Sequence, residues 1–125
     1  MKYYPDMQVS KRRVNSVLEK QVNKMWYQLI VDTKTVEDAE KIFGDLLSGT
    51  EQEAIAKRLG VAYWLAKKRS YENIKENLKV SSATIATVAR ELKRRGWQLA
   101  LEKIMSEEWS TKWEEKIKNA IMRKK

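Results

Sequence analysis

Histidine and cysteine are both absent from this 125-residue chain, and proline (one) and glycine (four) are nearly so. Without histidine there is no imidazole base to activate a serine. Without histidine and cysteine, zinc and most transition metals lose their usual ligands. No disulfide framework is available, so the chain does not read as a small secreted scaffold. The four glycines stand apart, which rules out a glycine-rich loop around a nucleotide phosphate. So few turn formers make an all-β fold untenable. Long apolar runs are missing as well: the most apolar stretch is "WYQLIV" at 26–31, far short of a membrane span. The start of the chain carries Lys2 with no apolar stretch behind it, so no secretory signal is read there, and the cytoplasm is the expected compartment. Carboxylate pairs occur at Glu51/Glu53, Glu107/Glu108 and Glu114/Glu115, but at helix starts or exposed helical positions, where they meet the macrodipole or solvate a face. The expectations are therefore no catalysis, no metal site and no cofactor.

What is present is charge and helix-forming residues. Charged residues make up 34% of the chain and the formal net charge is +9. The excess is uneven. Residues 57–95 carry eleven Lys/Arg against three acids, whereas 35–56 carry one Lys against six acids. A basic surface can be mere solvation, or it can be an electrostatic footprint for phosphates.

Periodicity and cap signals predict an all-α fold of six to seven helices. The first runs from about Lys11 to Val31, with Val14, Leu18, Val22, Met25 and Leu29 on one stripe. Thr35 with Asp38 caps the second, which Ser48-Gly49 stops. Thr50 with Glu53 reads as a capping box for the third, buried through Ile55, Leu59, Ala62 and Leu65 and reaching about Lys68. Ser70 opens a short fourth helix, Val80-Ser81 turns, and a fifth follows to about Arg94. Gly96 breaks the pattern before a sixth, and Ser106 or Ser110 restarts a tail with Trp109, Trp113, Ile117 and Ile121 at four-residue spacing. Residues 1–10 read as a loosely ordered segment, 11–105 as the main domain, and 106–125 as an amphipathic basic C-terminal helix. Tyr63 and Trp64 read as core or dimer contacts. The tail stripe is a packing face, with two alternatives: a basic helix on anionic membrane, or an arm closing over DNA through Lys118, Arg123, Lys124 and Lys125.

Within this frame, "SYENIKENLKVSSATIATVAREL" (70–92) has the form of a helix-turn-helix. Ile74 and Leu78 line the inside of its first helix, Val80 seals the turn, and Ile85 and Val88 line the inside of the second. The second helix opens with short side chains: Ser81, Ser82, Ala83, Ala86 and Thr87 come before Arg90. A helix that must enter a major groove about 12 Å wide benefits from small residues at its leading end, where long side chains would hold the backbone away from base edges. Lys67, Lys68, Arg69, Lys75, Lys79, Arg90, Lys93, Arg94 and Arg95 flank the unit. The residues expected to meet double-stranded DNA are Arg69, Lys75, Lys79, Ser81, Ser82, Ala83, Ala86, Thr87, Arg90 and Lys93. An αα-hairpin can also be purely structural.

From about Ile42 to Ile104 the chain resembles the Trp-repressor superfamily, and within it the small bacterial Trp-repressor-like proteins of the YerC/YecD type. The stretches that carry the resemblance are "IFGDLLSGTEQEAIAKRLGVAYWL", "SYENIKENLKVSSATIATVAREL" and "RRGWQLALEKI". The resemblance implies an intertwined homodimer and a transcriptional regulator whose two reading heads meet successive major grooves. It also implies a candidate effector pocket at Ser48, Arg58 and Thr87. Arg58 matches a family arginine that helps hold tryptophan in the Trp repressor. The second such arginine corresponds to Thr87 and the neighbouring glycine to Val88, which argues against L-tryptophan as the effector. Lys75 matches a DNA-contacting lysine of the family. Lys79 stands where the general helix-turn-helix pattern has glycine, so either it adopts a left-handed conformation at roughly 1 kcal/mol or the turn differs. Three functions are consistent with the sequence: a sequence-specific dimeric regulator, a basic nucleic-acid binder without sequence preference, and an adaptor that binds proteins through its aromatic tail.

Overall fold

A computed structural model describes residues 15–123, with backbone alone at 107–110, 122 and 123. The expected loose segment 1–10 and the Val14 end of the first stripe lie outside this range. Seven helices are present among the described residues: α1 (Ser16–Asp32), α2 (Val36–Leu46), α3 (Gly49–Ala66), α4 (Tyr71–Leu78), α5 (Ser82–Glu91), α6 (Arg95–Ile104) and α7 (Glu107–Arg123). None of them is long and apolar enough to cross a membrane. The chain divides into two compact units, residues 1–54 and 55–125.

In the first unit, local caps decide where the helices begin. The Asn15 Oδ1 accepts from the Val17 and Leu18 amides at 2.9 and 3.3 Å, and the Thr35 hydroxyl accepts from the Asp38 amide at 3.0 Å. Each bond satisfies a donor that the first helical turn cannot. The capping box of α3 falls two residues earlier than the sequence suggests. The Ser48 hydroxyl accepts from the Glu51 amide at 3.1 Å, and the Glu51 carboxylate accepts from the Ser48 amide at 2.7 Å. Leu47 leaves α2 in extended backbone (φ −108°, ψ 144°), and only Leu47 and Ser48 lie between the two helices. Gly49 therefore starts α3 instead of stopping α2. An edge-to-face pair between Trp26 and Phe43, with ring centroids 5.7 Å apart, joins α1 to α2. No residue of α1 is buried, and Leu18, Val22 and Met25 of the expected stripe are 50%, 48% and 65% exposed.

The second unit holds the core: Val61, Ala62, Tyr63 and Trp64 of α3, Ile74 of α4, and Ile85 and Val88 of α5. Four consecutive buried residues occupy every side of a helix, so the second half of α3 is enclosed. This departs from the single stripe the periodicity predicts. Ala62 is fully buried and Leu65 half-buried, but Ile55 and Leu59 remain exposed. Gly60 admits α4 at close range, since a Cβ at that position would lie 3.1 Å from Leu78 Cδ1. From the tail stripe, Ile117 and Ile121 of α7 pack against this core, while Trp113 is 40% exposed. The side chain of Trp109 is outside the described set. The break before α6 falls at Leu92–Arg94, not at Gly96. The Arg94 amide closes a turn onto the Glu91 carbonyl at 2.9 Å, and Gly96 sits inside the helix.

Candidate nucleic-acid interface

The second unit presents a helix-turn-helix formed by α4 and α5. The Ser70 hydroxyl caps α4 by accepting from the Asn73 amide, and the Ser81 hydroxyl caps α5 by accepting from the Thr84 amide, both at 3.1 Å. Ser81 and Thr84 hydroxyls also lie 3.0 Å apart, within hydrogen-bonding distance. Ile74, Ile85 and Val88 are at most 2% exposed and form the plug between the two helices. Fully burying side chains of this kind contributes on the order of 1.5–3 kcal/mol each.

The turn itself rests on Lys79, which adopts the left-handed conformation at φ 55°, ψ 51°. The sequence offers that conformation as one of two alternatives, and it is the one found. The Lys79 carbonyl accepts from Lys57 Nζ of α3 at 3.3 Å. A second left-handed lysine, Lys68 (φ 65°), precedes α4, so this helix lies between two residues placed where glycine would be unstrained. The sequence gives no sign of Lys68, because "AKKRS" contains no glycine or asparagine, the residues that favour a left-handed backbone.

Of the residues expected to meet DNA, Ser81, Ser82, Ala83, Arg90 and Lys93 are exposed on or beside α5, and Lys75 and Lys79 are exposed at the end of α4. Ala86 and Thr87 are half-buried, less outward than the pattern suggests. The Thr87 hydroxyl accepts from Arg90 Nη2 at 3.4 Å. Arg69 is placed differently from the rest. Its guanidinium lies 4.9 Å from the Trp64 ring centroid and donates from Nη2 to Glu114 Oε1 at 2.8 Å, so it is turned toward α7. Within the candidate effector set, Arg58 is exposed on α3 and Ser48 is occupied in capping that helix.

Glu114 was legible only as an exposed helical acid, yet it is half-buried and engaged by three groups. Tyr63 Oη donates to its Oε2 at 2.8 Å, Arg69 to its Oε1, and Lys67 Nζ lies 3.7 Å away. Burial pushes its carboxyl up, but the hydrogen bonds from Tyr63 and Arg69 and the charges of Arg69 and Lys67 outweigh that and hold it below the usual 4.5. An apolar groove of about 900 Å³ opens beside these residues, lined by Leu59, Tyr63, Ile104, Trp113 and Ile117 with Lys103 among them.

An all-α unit with a capped helix-turn-helix, small residues leading its second helix and cations around it defines a DNA-binding transcription regulator of the helix-turn-helix class. The chain belongs to the Trp repressor protein family, whose model matches residues 20–107. Members of that family are DNA-binding regulators and not enzymes. A TrpR-like protein from Eubacterium eligens ATCC 27750, known by crystal structure, is similar. It is 29% identical, and the match covers 72% of this chain and 95% of that one with a TM-score of 0.64. No curated protein matches.

Proposed function

We propose that this chain is a sequence-specific regulator of transcription, a repressor, that binds double-stranded DNA as a homodimer and inserts residues 81–92 in the major groove. The observation that carries the reading is the leading end of α5. Ser82 and Ala83 are exposed just after the Ser81 cap, with no long side chain between the helix backbone and an approaching base edge. Arg90, Lys75, Lys79 and Lys93 then supply phosphate contacts, which give affinity and register, while the short residues allow discrimination. Exposed apolar residues along α1 support a second copy as their cover, since contiguous apolar surface of this kind marks an interaction face. Thr87 offers no cation for a carboxylate, which argues against L-tryptophan as an effector. The expected place of action is the cytoplasm, on the nucleoid.

Selection of bound duplexes from a random library at near-physiological salt tests this reading. Enrichment of a two-fold site with half-sites about one helical turn apart is the expected result. Binding that enriches no sequence and survives only at low salt would replace the reading with a non-specific nucleic-acid binder. Absence of duplex binding, with a protein partner captured by the tail, would favour the adaptor.

A further inference from the structure

All of α7 except its first residue lies beyond the stretch that matches the family. Besides the packing of Ile117 and Ile121 on the core, it meets the end of α3 through one carboxylate, Glu114. The contact is best understood from the end of α3. There the Arg69 amide donates to the Trp64 carbonyl and the Lys68 amide to the Leu65 carbonyl, both at 3.0 Å, with Lys68 left-handed. This is the Schellman arrangement, in which the residue after the left-handed one usually makes an apolar contact back onto the last helical turn. Here that contact is the Arg69 guanidinium over the Trp64 ring. Stacking on a ring face leaves a guanidinium free to slide, because the attraction depends weakly on where over the ring it sits. Glu114 removes that freedom. Its Oε1 takes the Arg69 Nη2 hydrogen bond while its Oε2 is held by Tyr63 Oη, one turn back along α3.

Only Ser70 separates Arg69 from α4, and Ser70 is the cap of that helix. The left-handed Lys68 costs on the order of 1 kcal/mol and persists only where its surroundings hold it. Arg69 Nε is buried with no hydrogen-bond partner, so the side chain has given up solvation to take this position.

We infer that Glu114 is a positioning residue for the DNA-reading unit: it clamps Arg69 against Trp64 and thereby fixes the direction in which α4 leaves α3. The inference rests on the reading that α4 and α5 bind DNA. It gives α7 an effect on DNA affinity without touching DNA, and it makes Arg69 part of the clamp instead of a phosphate contact.

The two roles separate by salt. Losing a phosphate contact flattens the plot of log affinity against log salt by about 0.9, whereas losing a clamp lowers affinity equally at all salt concentrations. The full-length chain carrying Glu114→Ala, Glu114→Gln, Arg69→Ala or both Ala changes is titrated with the duplex enriched by selection, or with an arbitrary duplex where none is enriched. Amide exchange over residues 71–79 is measured in parallel. Glu114→Ala is expected to weaken binding about tenfold, the size of one charge-assisted hydrogen bond, along a parallel salt line. Arg69→Ala should match it, the double variant should go no further, and exchange should quicken over 71–79 but not over 61–64. Glu114→Gln, which keeps an acceptor and the side-chain volume, should fall between and guards against loss of fold in the Ala variant. Unchanged or tighter binding by Glu114→Ala would overturn the clamp, as would a flattened salt line in Arg69→Ala alone. If the wild type binds no duplex at any salt, the DNA reading fails. The clamp is then decided by exchange: quickening over 71–79 sustains it and no change overturns it.

Discussion

Helices α1 and α5 are both amphipathic and both opened by a side-chain cap, yet they differ in what their apolar faces meet. Helix α5 buries Ile85 and Val88 within its own unit, whereas α1 buries nothing and leaves Val22, Leu18 and Tyr27 roughly half to two-thirds exposed. A periodic apolar face states that something must cover it; only the surrounding chain states whether the cover is its own. For α5 the cover is α4 and α3. For α1 the proposed cover is a second copy.

The largest way to test that difference is in the core. Ile85→Ala should cost about 2–5 kcal/mol, seen as a lower urea midpoint, and duplex binding should go with it. On α1, Leu18→Asp should leave the second unit folded but weaken self-association by about 2 kcal/mol or more, because a carboxylate would enter an apolar face. Sedimentation equilibrium reads this directly, and an unmoved oligomeric state would break the comparison. Arg90→Ala should weaken duplex binding and flatten the salt line by about 0.9, whereas Lys24→Ala on α1 should leave both unchanged. Equal losses for the two cations would mean that charge alone, and not its place on α5, governs binding. Lys79→Gly should raise fold stability by less than about 1 kcal/mol through relief of strain, yet flatten the salt line by about 0.9. Smallest is an effect of acid. The Glu114 carboxyl titrates below its unfolded value, so its contribution is present above about pH 4.5 and is lost as pH falls through the folded value. Thermal melts between neutral and acid pH should show a shallower acid decline for Glu114→Gln.

What the sequence discloses about this fold is what is local. The caps at Thr35, Ser70 and Ser81 each join a side chain to an amide three residues on, so the pattern of residue types suffices to place them. The helix-turn-helix and its small-residue leading end are legible for the same reason. The α3 start is harder, because Ser48/Glu51 and Thr50/Glu53 are equally good capping boxes on paper. The extended backbone of Leu47 decides between them, and a pattern of residue types does not encode it. Glu114 is least legible. Its partners lie 45 and 51 positions away, and nothing near it in the chain separates an acid on a solvated face from one that holds a guanidinium on an indole.

Gly60 lets α4 seat closely on α3. With no side chain there, Leu78 sits where a Cβ would crowd its Cδ1 at 3.1 Å, so a single methyl group would require the Leu78 side chain to give by a few tenths of an ångström. Past a three-residue turn, α5 extends ten residues, about 15 Å at the rise of an α-helix. The volume of residue 60 thus bears on how closely Leu78, and with it the end of α4, seats against α3.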